Sequence, residues 1–93
     1  MPRHPALQSL AFLRSTFIAY HPKHQRYDVI ATVGEALRFM VHLPAKLDGL
    51  HWTCASNGLV WAYRDGVGID HATAAFEEAL LSDGLMVAAV PPA

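Results

Sequence analysis

Apolar and polar positions alternate with a period that changes along the chain. From Pro5 to Tyr20, at about 100° per residue, Leu7, Leu10, Ala11, Leu13, Phe17, Ile18 and Tyr20 share half a helical circumference. This predicts an N-terminal helix over 5–20, opened by Pro5, whose missing N–H costs nothing at a helix start. Arg14 falls inside the apolar arc and Phe12 outside it. Pro22 ends the pattern by pushing His21 out of helical geometry. A loop over 21–26 follows, in which four of six residues are basic or His.

Segment 27–43 supports two readings. One is a long helix capped by Asp28, with Thr32, Glu35, Arg38 and His42 on its polar face. The other is a short strand over 27–31, rich in β-branched residues. Thr32-Val-Gly-Glu35 would then be a capping box for a helix over 33–43. Both readings share the helix from 34 onward, and Pro44 stops it.

Over 50–64, two apolar runs flank Asn57-Gly58, the pair favoured in two-residue hairpin turns. The pattern predicts a β-hairpin with Trp52, Cys54, Leu59, Trp61 and Tyr63 on one face. Asp70 then caps a helix over 71–82 with Ala72, Phe76, Ala79 and Leu80 inward, and Gly84 stands just past its end. A terminal apolar strand spans 85–90 before Pro91 and Pro92.

These elements form one domain over 1–93: the N-terminal helix 5–20, the basic loop 21–26 and an α+β body over 27–90. The expected fold is two-layered, with helices packed on an antiparallel sheet that contains the 50–64 hairpin. With a strand at 27–31 the body reads βαββαβ, a ferredoxin-like order with an extra N-terminal helix. Otherwise three helices lie on three strands.

Composition narrows the function. The 93 residues are 53% hydrophobic and only 16% charged, against about 25% charged in an average domain. A small body cannot bury so much apolar surface completely, and the remainder tends to mark contact sites. The longest uncharged stretch, fifteen residues between Asp48 and Arg64, is too short to span a bilayer, which takes about 18 or more apolar residues. A single cysteine, Cys54, excludes an internal disulfide and fits a reducing compartment, read here as the cytoplasm.

Net charge is −1, but the signs are segregated. Residues 1–46 hold six Lys and Arg against two acids, and residues 47–93 hold one base against six acids. If the halves stay apart, the molecule carries a dipole; if they fold together, they neutralise each other.

Candidate chemistry is sparse. His21-x-x-His24 could bind a metal if Asp28, His42 or His4 supplied a third ligand, but no partner motif accompanies the pair. Gly66-Val-Gly68 lacks the third glycine of a dinucleotide fingerprint, since His71 stands there. Cys54 is placed among aromatic packing rather than beside a base. Glu77 and Glu78 diverge by one helical step. Glu35, Arg38 and His42 form a ladder typical of a solvated helix face.

The chain therefore reads as a non-enzymatic interaction module, a homodimer without cofactor or metal. It would act as an adaptor or an inhibitor of immunity type on a larger partner, a role suggested by its size. Phe12, Arg14, Phe17, Lys23, His24, Arg26, Trp52, Trp61 and Tyr63 are the expected contact residues. The basic members would steer an acidic protein partner, and no membrane contact is expected. The alternative is a nucleic-acid-contacting accessory protein using the basic N-terminal region, although the pI of 6.6 is far from basic. A small His- or metal-dependent enzyme is the third reading.

Overall fold

The computed structural model describes residues 11–44 and 49–91. Strand β1 (Phe12–His21) turns into β2 (Arg26–Thr32), which leads directly into helix α1 (Val33–Val41). Helices α2 (Leu50–Asp65) and α3 (Ile69–Ser82) follow, and β3 (Met86–Val90) closes the order. The sheet runs β2-β1-β3 with both pairings antiparallel. The architecture is α+β in two layers, with helices on an antiparallel sheet. Its ββαααβ order among the described residues differs from the βαββαβ expectation.

Two expected elements change identity. Residues 12–21 are strand, not helix, and the predicted helix start over 5–10 lies outside the described residues. Leu13, Phe17, Ala19 and His21 point inward with the period of two that a pleated strand imposes. Ile18 and Tyr20 on the opposite face are also apolar, so the alternation is masked in the sequence and imitates a helical arc.

The 50–64 segment is helix α2, not a hairpin. Trp52, Ala55, Leu59 and Ala62 are buried at spacings of three and four, and Asn57-Gly58 sits in mid-helix. A side chain at Gly58 would place its Cβ 3.2 Å from the Ala72 Cα and 3.4 Å from the His71 ring, because α3 crosses there. The glycine serves this close helix crossing rather than a turn. With the hairpin gone, Trp61 turns to the opposite side of the helix, while Trp52 and Tyr63 stay on the side that meets the core. Cys54, expected among aromatics, is exposed.

Other junctions follow the residues closely. Thr32 caps α1: its hydroxyl accepts from the Glu35 N–H at 3.2 Å, while Glu35 Oε1 accepts from the Thr32 N–H at 3.1 Å. The strand-then-capping-box reading of 27–43 therefore holds, and the single long helix does not. The cap residue of α3 is Gly68 rather than Asp70, which lies in the first turn of the helix. At its end the Gly84 N–H meets the Leu81 carbonyl and the Leu85 N–H the Leu80 carbonyl, while Gly84 takes a φ of 69°. This is the paired-bond helix stop that favours glycine, with Leu80 and Leu85 both buried beside it.

The core converges on Phe76 of α3. Its ring meets Phe17 of β1, Phe39 of α1 and Trp52 of α2 edge-on, at centroid distances of 5.6, 6.1 and 6.2 Å. One side chain thus ties the sheet to all three helices. β1 lies between β2 and β3 and α3 packs on it, so the basic and acidic halves of the chain interleave. Arg14 and Asp70 form an ion pair across that join. Among the described residues no helix is long and apolar enough to cross a membrane.

Candidate functional site

A cleft of about 350 Å³ opens where the β1–β2 turn meets the end of α1. The turn over 22–25 closes through the Gln25 N–H to the His21 carbonyl at 2.8 Å, with Gln25 at a φ of 53°. This geometry sets His21 at the strand end under the helix and His24 above it. His42 follows α1 directly. The His21 and His24 rings lie 4.4 Å apart and the His24 and His42 rings 5.2 Å apart, so three imidazoles form a continuous row.

The members of the row differ in kind. His21 is 1% exposed, and its two ring nitrogens are both engaged. The tautomer protonated at Nε2 donates to the Phe39 carbonyl at 3.1 Å and lets Nδ1 accept from the His24 N–H at 3.3 Å. His21 is a structural pin holding the turn to α1. This engagement removes it as a free ligand, so the His21-x-x-His24 pair cannot act as an open chelate. Among the described residues no three His, Cys, Asp or Glu side chains gather to hold a metal ion.

His24 and His42 face the cleft with Arg38, above a floor of Ile30 and Phe39. The two carboxylates of the lining are occupied. Asp28 accepts from Arg26 Nε at 3.0 Å, and Glu35 accepts from the Ala31 and Thr32 N–H groups. Arg38 has no ion-pair partner among the described residues. The His24 imidazole is held below its ordinary value of 6.5, first by desolvation and then by the neighbouring His21, Arg26, His42 and Lys23. It is therefore neutral at pH 7.

The face of the sheet opposite α1 and α3 is a second feature. Paired residues stand side by side on it in rows: Val29–Ile18–Ala88, Tyr20–Tyr27 and Thr16–Val90. The two tyrosine rings meet edge-on at 5.4 Å. Tyr27 is 68% and Val29 62% exposed.

The residues expected to make contact are scattered by the fold. Lys23, His24 and Arg26 do come together in one turn, and His24 and Arg26 line the cleft. Phe12 is exposed at the start of β1. Arg14 is tied to α3 through Asp70, and its backbone N–H donates to the Thr73 hydroxyl at 3.0 Å. Phe17 is fully buried and cannot meet a partner, because the strand period turns it under the helices. Trp52 is likewise core, its indole N–H donating to the Asp83 carboxylate. Trp61 remains exposed, beside Asn57, Val60 and Arg64 on α2, and Tyr63 is half-buried.

Arg38 and His42 are visible in the sequence as a polar helix face, and His42 is one of three residues that the sequence offers as a companion to the His21/His24 pair; nothing there joins Arg38 to that turn. The open-face residues Tyr27 and Val29 gave no such signal. Comparison with protein-family models, curated proteins and solved structures finds no match to this chain.

Proposed function

We propose that the protein is a non-enzymatic interaction module that pairs with a second copy of itself through the open face of its sheet. The observation that carries this reading is the run of Thr16, Ile18, Tyr20, Tyr27, Val29, Ala88 and Val90 across three strands, apolar or uncharged throughout. A face without charge can meet its own copy without like-charge repulsion, as a two-fold contact requires. Two sheets stacked face to face bury such rows about 10 Å apart. Tyrosine is a favoured anchor in such contacts because it combines apolar area with a polar tip.

The dimer would act on a larger partner as an adaptor or inhibitor, with Lys23, exposed in the turn, steering an acidic surface toward the cleft. It would work in the cytoplasm, where the exposed Cys54 thiol stays reduced. The nucleic-acid reading is weaker than the sequence suggests. Arg14 and Arg26 are already engaged by Asp70 and Asp28, which reduces the charge available to phosphates.

Light scattering at high protein concentration tests the pairing. The wild type is expected to scatter as a dimer, and the Val29→Glu variant as a folded monomer because it would bring two like charges into the contact. A monomeric wild type, or a Val29→Glu variant that dimerises equally well, overturns the proposal.

A further inference from the structure

We infer that the cleft between the β1–β2 turn and the end of α1 binds a small organic phosphate, held by Arg38, His24 and His42. Inside the cleft Arg26 and Arg38 balance Asp28 and Glu35 in formal charge. The balance is uneven in space: Arg26 is taken up by Asp28, and Glu35 by the backbone at the start of α1. Arg38 at the other end of the same helix is left as the positive end of the cleft. Protonation of His24 adds charge beside it.

Shape and chemistry then select the ligand. Donors reach the space from the turn, from α1 and from the residue following α1. Such a spread suits the oxygens of a tetrahedral phosphate better than the two coplanar oxygens of a carboxylate. A guanidinium binds phosphate with parallel hydrogen bonds. The buried Ile30 and Phe39 offer an apolar seat for an organic body. A volume of about 350 Å³ lies at the small end of ligand pockets, which run from about 300 to 1,000 Å³.

Binding is coupled to protons. His24 faces His21 from β1, Lys23 from its own turn, Arg26 and Asp28 from β2, and Glu35, Arg38 and His42 from the α1 side. The cations among these, together with desolvation, disfavour its charged form, and an anion in the cleft relieves that penalty. A phosphate dianion and the imidazolium therefore stabilise each other, and affinity rises as pH falls toward about 6, where the monoester takes up its own second proton and the gain levels off.

The test is an NMR titration of the full chain with phenyl phosphate, inorganic phosphate and benzoate, following the histidine ring signals at several pH values. Phenyl phosphate is expected to bind saturably, shift His24 and His42, and raise the apparent pKa of His24. Above about pH 6, where the ligand is a dianion, its affinity should increase by up to about tenfold per pH unit on acidification. Arg38→Ala, an exposed change that leaves the core intact, should weaken it about ten- to a hundredfold. His24→Gln should flatten the pH dependence. The inference is overturned by absence of saturation, by an affinity indifferent to both variants, by benzoate matching phenyl phosphate, or by inorganic phosphate doing so. The self-association test uses the other face of the sheet, so either proposal can fail alone.

Discussion

The two faces of the sheet are made from similar residues and meet different fates. On one, Phe17, Ala19 and Ile30 are sealed beneath helices. On the other, Ile18 and Tyr20 alternate with them along the same strand, beside the exposed Tyr27 and Val29. Hydrophobicity makes a residue worth burying, at about 25 cal/mol per Å² of apolar surface, but what covers it depends on which neighbours the chain brings across. Among the described residues, the helix-covered face has a hub, Phe76, whose ring meets β1 and the other two helices.

Paired truncations separate the faces most sharply. Phe76→Ala should cost about 3–5 kcal/mol of unfolding free energy in a denaturant titration, since it leaves a cavity facing Phe17, Phe39 and Trp52. Tyr27→Ala, measured in dilute solution where the chains are apart, should change stability by less than about 1 kcal/mol. Similar losses for both variants would mean that the exposed face is part of the folded unit's own core.

A smaller effect probes the helix layer above the covered face. Gly58→Val pushes side-chain atoms toward the Ala72 backbone, 3.2 Å from the position of the new Cβ, and should cost about 1–3 kcal/mol by thermal or denaturant unfolding. A neutral or stabilising result would show that α2 and α3 can separate without loss.

The smallest effect lies in the turn where the cleft opens. His24 has a folded-state pKa below 6.5, so the unfolded chain takes up its proton first as pH falls. Its contribution to stability is present above about 6.5 and is lost as pH drops from there through the folded-state value. Melting temperatures should fall modestly over that acidic window in the wild type and fall less in His24→Gln. Equal slopes in the two proteins would remove His24 from the linkage.

Local chemistry was readable wherever one residue's role depends on near neighbours. Thr32 and Glu35 cap α1, Gly84 ends α3, and a strand follows it over Met86–Val90. β1 and α2 were not readable for opposite reasons. β1 sets Ile18 and Tyr20 outward against Phe17 and Ala19 inward, so over its second half the period of two carried little polar contrast. In α2 an Asn-Gly pair that favours a turn was overruled, because burying Trp52, Ala55, Leu59 and Ala62 against the other helices outweighs a local preference of about 1 kcal/mol. The candidate cleft was half legible. The basic turn and the Glu35–Arg38–His42 helix face could each be read, and His42 stood among three candidates to join His21 and His24, but the sequence could not choose among them, since residues 21–26 and 38–42 approach only after β2 has paired with β1.

By itself the sequence determined an α+β composition, the capped start of α1, the stop of α3, and an apolar content too high for so small a body to hide. Tertiary structure decided which apolar residues became core, which lay on an open sheet face, and which histidines met. The physical reason is range. Caps and turns are settled by hydrogen bonds within a few residues, whereas burial and site assembly depend on contacts between distant segments.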